Sequence, residues 1–368
     1  SAACRLSPDT NIRLGPACLD GLCAAARERR LPDMPPDSAA AQAAAVVFVS
    51  GDCRYFRRFC HALLASAAAH GNEALLWHFH IINPDAWFEE EFAEVRDAHP
   101  ELQLRLTVEK RDFGSVAEAK AYFACARFLL LPEILAAYGK PVLQIDFDLL
   151  ILGPLQPLIE SHRGEDVALL RWPGNDWRLW DQVSASAVLA WPGSAAQAFL
   201  GGVANYVAHF LGRGGDAWFL DQIALYALSG HASRMSPPPR IGSIPPELFA
   251  NYRVAGAENL PANTLFWSVT YNIETNAQAL ESDLFRRYLP TTRRLFGWTI
   301  PGSDQVFQSY LAGLPVFKGR KLWEMDTMQL CLEKTQRRRR ALDIGGHIGF
   351  WSFWLAVVWR GERIGLWS

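Results

Sequence analysis

Between residues 45 and 145, short β-branched apolar runs alternate with helix-length stretches, and this alternation constrains the fold more than any other feature. AVVFVS (45–50) reads as a strand and GDCRYFRRFCHALLASAAAHG as a helix closed by Gly71, the residue type that tolerates a left-handed cap. ALLWHFHII (74–82) reads as a strand, PDAWFEEEFAEVRDAHP as a helix with early acids, and LQLRLTVE as an alternating strand. AEAKAYFACARFLLLPEILAAYGK reads as a helix broken or restarted at Pro132, and PVLQID as a strand. Repeated strand–helix steps of this length mean βαβ units, a mainly parallel sheet and helices on both of its faces.

Past residue 150 the order loosens. DVALLRW (166–172) and ASAVLAW (185–191) read as strands, 194–212 and 216–230 as helices, and the Pro- and Gly-dense 231–262 as irregular. Residues 1–44 form an Ala-rich helical and linker segment with a helix over 17–30, and the start at Ser1 reads as a cut from a longer chain. The main domain is expected over 45–320 and a separate short segment over 321–368. A net charge of −2 offers no electrostatic attraction to nucleic acid or an anionic membrane. No 18-residue uncharged apolar run predicts a transmembrane helix. The seven Cys follow no zinc or redox spacing and read as reduced thiols of a cytoplasmic protein.

The stretch KPVLQIDFDLLILGPLQPL (140–158) places two carboxylates, Asp146 and Asp148, inside an apolar run. Buried carboxylates need a cation, a proton or hydrogen-bond donors. In an extended strand residues two apart share a face, so the pair is expected to project together. It stands at the carboxyl end of an expected parallel strand, where open α/β sheets bind ligands. From the residues alone the choice stays open between a divalent ion with a phosphate-bearing substrate and a structural pairing with Arg or helix N-termini. A phosphatase of the haloacid-dehalogenase type, with the first Asp as nucleophile, fits less well. Several β/α steps precede the pair, and Leu149 and Leu150 follow it.

QIDFDLLILGPLQPL resembles the D-x-D strand of GT-A glycosyltransferases, above all the family-8 kind. VVFVSGDCRYF (46–56), YFACARFLLLPEIL (122–135), SASAVLAW (184–191) and WFLDQIAL (218–225) are similar to that family's other motifs, in the same order. The resemblance implies a GT-A, Rossmann-like mixed sheet. It also implies Mn²⁺ or Mg²⁺ held by Asp146 and Asp148, and a nucleotide-sugar donor, a UDP-sugar foremost. Val49, Ser50, Asp52 and Tyr55 would surround the nucleoside, and Arg127 would contact phosphate or donor sugar. Asp221 and Gln222 would lie beside the reacting sugar. Ala185 and Ala187 stand where the family has Asn and Gly. The H-x-x-G-x-x-K-P-W element that supplies a third metal ligand is not found, the nearest histidines in sequence being His209 and His231.

ALDIGGHIGFWS (341–352) resembles motif I of S-adenosylmethionine-dependent methyltransferases of the FkbM kind, with Asp343, Gly345 and Gly349 on the motif. Only a short incomplete βα unit is present, so S-adenosylmethionine is not expected to bind. The expected activity is metal-dependent, retaining sugar transfer to a glycan or other acceptor. The alternatives are a degenerate transferase fold used for binding and a fragment of a bifunctional glycosyltransferase–methyltransferase.

Overall fold

The computed structural model describes residues 14–26, 31, 41–172, 182–215, 217, 219–251, 259–269, 279–280, 282–295 and 298–301. The chain forms two compact units, Ser1–Pro290 and Thr291–Ser368. In the second, the described part is a hairpin of β11 (Thr292–Leu295) and β12 (Trp298–Pro301). The helix expected over 322–340 and the glycine-rich turn at 343–349 lie outside the described residues.

The first unit is built on the expected mixed, mainly parallel sheet. β1 (Ala45–Asp52), α2 (Cys53–Ala68), β2 (Leu75–Ile82), α3 (Phe88–Ala98), β3 (Gln103–Glu109), α4 (Val116–Tyr138) and β4 (Val142–Ile145) follow in that order, after an N-terminal helix α1 (Pro16–Ala24). Beyond β4 come β5 (Leu149–Ile151), α5 (Gln156–Ser161), β6 (Val167–Arg171) and β7 (Val183–Ala190). They are followed by α6 (Ser194–Leu211), α7 (Leu220–His231) and β8 (Ile241–Ile244). The large sheet has the order β3-β2-β1-β4-β7-β6-β8. β7 is antiparallel to both its neighbours, while the β1–β2, β2–β3, β1–β4 and β6–β8 pairs are parallel. A small sheet joins β5 to β10 (Phe266–Ser268) and β10 to β9 (Phe249–Asn251). A short helix, α8 (Asp283–Arg286), follows.

β1 is buried along its whole length because both faces are covered. Val47 and Val49 point into the core lined by α2 and α3, while Val46 and Phe48 point into the core lined by α4, α6 and α7. The chain crosses the sheet once between these layers: β1, β2 and β3 build outward on one side, and α4 carries it back to β4 on the other side of β1. The crevice at the carboxyl ends of β1 and β4 is therefore a topological switch point.

α4 departs from the sequence expectation. It runs unbroken through Pro132, although proline removes a backbone donor and crowds the preceding turn. Packing outweighs that cost: Phe128 through Leu135 are buried, and Gln197 of α6 donates to the Pro132 carbonyl at 3.0 Å. The ends are set locally. Ser115 caps the amino end by accepting from Glu118 N at 3.1 Å, and Gly139 closes the other at φ +58°. The helix is long and apolar enough to cross a bilayer, and two-thirds of that apolar window is buried inside the molecule.

Described residues ahead of β1 are bonded to later elements of the chain. Asp20 of α1 pairs with His231 at 2.9 Å and Arg234 at 2.7 Å, and Leu31 N donates to Glu133 at 2.7 Å.

Beneath α4, His78 is fully buried on β2. Its Nδ1 bonds Tyr138 Oη at 2.8 Å and its Nε2 bonds Thr107 Oγ1 at 2.9 Å. Burial, with the nearby His80 and Arg105, pushes the imidazole down to about 3. An unfolded histidine titrates near ~6.5, so the unfolded chain takes up the proton first. This contribution to stability is complete above that pH and is lost as pH falls toward 3. Thermal midpoints measured between pH 7 and 4 should fall with acid, and His78→Gln should flatten part of that fall.

Candidate functional site

The D-F-D stretch is not the extended strand expected from its spacing. β4 stops at Ile145, Phe147 and Asp148 form a turn, and β5 starts at Leu149 in the small sheet. The chain changes sheets at this point, so strand periodicity does not carry across it. Asp146 N donates to Ser186 O of β7 at 3.3 Å, and the Asp148 carbonyl accepts from Val269 N at 2.9 Å. Backbone bonds to two different sheets thus hold the two aspartates in place.

Three elements meet at the Asp146 side chain. Arg127, on the buried face of α4, places one guanidinium nitrogen on Asp146 Oδ1 and the other on Asp221 Oδ2, the latter at 2.9 Å. Asp221 lies in the first turn of α7, is 2% exposed, and also accepts from Gln222 N at 2.8 Å. The buried guanidinium bridges two carboxylates, a task suited to its planar fork of donors. Burial pushes the Asp221 carboxyl up to about 6, against the pull of Arg127 and the Gln222 amide. The two acids hold the Arg127 cation above its ordinary value despite its burial.

Asp52 ends β1 and caps α2. Its Oδ1 accepts from Tyr55 N at 2.9 Å and its Oδ2 from Arg54 Nε at 3.0 Å, so both oxygens are engaged. Tyr55 is 39% exposed at the crevice. Its phenol is held above its ordinary value, by desolvation first and then by the negative charges of Asp148, Asp52 and Asp146. Ser50 is buried, and its hydroxyl has no hydrogen-bond partner among the described residues. Val49 is fully buried in the α2-side core, so its side chain faces away from the crevice.

Asp52, Tyr55, Arg127, Asp146, Asp148 and Asp221, which lie on four separate stretches of chain, thus gather at the carboxyl ends of β1 and β4. Gln222 is half-buried beside Asp221. Val49 is the exception, its side chain being packed in the α2-side core. Ala185 and Ala187 are buried in opposite cores, so neither side chain reaches the crevice. His209 contacts Arg213 and His231 pairs with Asp20, so both histidines are engaged away from the D-F-D turn. Trp218, part of the WFLDQIAL string, lies outside the described residues. Phe147 and Gly51 went unnoticed in the sequence, because what they contact is decided by how β1 and β4 pair.

Among the described residues no group of three or more His, Cys, Asp and Glu is placed to hold a metal ion. Asp146 and Asp148 offer hard oxygens, and Arg127 takes up Oδ1 of Asp146. Such a set suits an ion that completes its shell with diphosphate oxygens and water, and does not form a closed protein cage.

No family model matches the chain, and no curated protein matches it. Among solved structures it is similar to the galactosyltransferase LgtC in complex with donor and acceptor sugar analogs, with a TM-score of 0.47 and 14% identity over 66% of this chain and 94% of that one. It is similar to the glycosyltransferase GlyE of Streptococcus pneumoniae TIGR4, with a TM-score of 0.44 and 15% identity over 79% and 73%. It is also similar to the bifunctional glycosyltransferase WbbM, with a TM-score of 0.43 and 14% identity over 67% of this chain, and it spans about half of that protein's length (52%).

Arg127→Leu leaves Asp146 and Asp221 uncompensated and is expected to cost about 3–5 kcal/mol of stability. Arg127→Lys should recover only part of it, since a single ammonium does not reproduce the fork. Urea unfolding of the three proteins at pH 7.5 tests this, and a Lys variant equal to wild type would count against the bridge.

Proposed function

We propose that the chain is a glycosyltransferase that moves a sugar from a nucleotide-diphosphate donor to a glycan or other acceptor. The observation that carries this reading is the Arg127 bridge between Asp146 and Asp221, beside Asp148, at the topological switch point of the sheet. Under this reading Asp146 and Asp148 hold Mn²⁺ or Mg²⁺, which supplies Lewis acidity to the departing diphosphate. Ser50, Tyr55 and the backbone at Val49 border the nucleoside, and Asp52 fixes the start of α2 beneath it. Arg127 holds the carboxylates apart and offers positive charge to phosphate. Asp221 and Gln222 stand beside the sugar, where a carboxylate stabilises developing positive charge. Retention of anomeric configuration is part of the proposal.

A second reading is a degenerate transferase fold that binds a nucleotide-sugar without turning it over. Ala185, standing where the resemblance implies an Asn, favours it, because a methyl group supplies no amide for an acceptor. Mn²⁺-dependent hydrolysis of the donor separates the two readings. The segment 321–368 is proposed to bind no S-adenosylmethionine.

Thermal midpoints measured against UDP-, GDP- and CDP-sugars, with and without Mn²⁺, test the donor site. A UDP-sugar with Mn²⁺ should raise the midpoint, since ligand at 100 times its Kd adds about 2.7 kcal/mol. Asp148→Ala should remain folded and lose the Mn²⁺-dependent part. An Asp148→Ala protein that responds like wild type would remove the metal assignment.

Asp221 gives a separate test. A carboxyl titrating at about 6 is ionised above that pH and neutral below it. If the ionised form stabilises the sugar cation, donor turnover falls as pH drops through about 6. Asp221→Asn should lose most of the turnover together with the inflection.

A further inference from the structure

The aromatic side chain between the two aspartates sits deep in the core. Phe147 is 2% exposed and packs on the α2 side of the sheet, whereas Asp146 reaches Arg127 of α4, which covers the other side. Its ring stacks on Phe79 at 5.6 Å with planes 24° apart, and it meets Phe56 edge-on at 6.4 Å. Gly51 on β1 lies directly against it. A Cβ at Gly51 would fall 2.8 Å from Phe147 Cδ2 and 3.0 Å from Cε2, and 3.6 Å from Tyr55 Cβ. The first two separations are closer than packed carbon atoms approach. Gly51 has no left-handed backbone to explain it, so here glycine meets a demand for space rather than for conformation.

The backbone is pinned on either side of the ring, at Asp146 N by β7 and at Asp148 O by Val269. Between those pins, the seat of the ring determines how the turn is rotated. We propose that Phe147 is a positioning residue, a wedge against the bare backbone of Gly51 that sets the directions of the Asp146 and Asp148 carboxylates. This rests on the reading of those carboxylates as the metal–diphosphate site. The wedge also ties the turn to the nucleoside side of the crevice, because Gly51 precedes the capping Asp52 and a Cβ there would meet Tyr55 Cβ at 3.6 Å. Seating of one ring thus registers the carboxylates of the β4 end against the first turn of α2.

The test is a cycle of Gly51→Ala, Phe147→Leu and the double variant. In Gly51→Ala the new methyl displaces the ring. In Phe147→Leu a gap opens under residue 51. In the double variant the alanine methyl occupies the room that the smaller leucine leaves. Isothermal titration with UDP, with and without Mn²⁺, reads the effect. Each single variant should lose the Mn²⁺-dependent gain in affinity by about tenfold. Metal-free UDP affinity and binding stoichiometry should stay as in wild type, which a merely unfolded fraction would not allow. The double variant should bind within about threefold of wild type. Thermal unfolding without ligand should show the same rescue.

A folded Gly51→Ala protein with wild-type Mn²⁺ dependence overturns the wedge, as does a double variant whose loss equals the product of the single losses. Wild-type protein that binds no UDP with Mn²⁺ overturns the nucleotide reading and the positioning role with it. In that case the ligand-free unfolding cycle still judges the packing contact, and additive midpoints refute it.

Discussion

Arg127 is where the two halves of the sheet are tied together. It extends from α4, the helix that carries the chain back across the sheet, to Asp146 at the end of β4 and to Asp221 at the start of α7. One cation between two acids in a mostly buried setting is a high-stakes arrangement. Its Coulomb attraction is strong because water is scarce, and removal of the cation leaves two acids without compensation. The same helix runs unbroken through Pro132, where burial and the bond from Gln197 of α6 outweigh the lost backbone donor. A helix restarted there would shift its own packing on α6 and, through it, the height of Arg127 above the sheet.

The fold was readable wherever a local rule sufficed. Alternation of β1, β2 and β3 with helices predicts the parallel order, and Gly71 and Gly139 both stand at left-handed helix exits. Pro132 misled because helix propensity is a local quantity while burial against α6 is not. The D-F-D pair misled for a related reason. Strand periodicity holds within one sheet, and at Phe147 the chain leaves the large sheet for the small one, so the spacing of two no longer means one face. The residues of the site were legible as a set only through the resemblance, since nothing in the spacing of 127, 146 and 221 announces that they meet. Asp52 carries a local task that the resemblance does not name: its oxygens accept from Tyr55 N and Arg54 and so shape the first turn on which Tyr55 is displayed.

The packing that buries Phe147 also divides the surroundings of the strand ends by polarity. The aromatic cluster of Phe56, Phe79, Phe88 and Phe92 fills the α2 side of the sheet under the switch point. The polar residues Ser50, Asp146, Arg127 and Asp221 lie at the α4 side or at the strand ends. The strand ends thus stand between a closed aromatic core and a charged cluster, with the partly exposed Tyr55 beside them. Under the proposed function the charged cluster is what a diphosphate would meet, and Tyr55 is the aromatic surface left for a base.

The shared guanidinium also makes the site responsive to what enters it. Arg127 spends one terminal nitrogen on each carboxylate, so displacement of the guanidinium toward a phosphate oxygen would lengthen one of those bonds. Asp221 stands at about 6 because burial is opposed chiefly by that one cation. Under the proposed function, any shift of Arg127 toward a diphosphate would raise Asp221 further and favour its protonated form, whereas a divalent ion on Asp146 would release Arg127 toward Asp221 and favour the carboxylate. On that reading metal and diphosphate would act on Asp221 with opposite sign through one side chain. Nucleotide alone would then leave the carboxyl less ionised than nucleotide with metal.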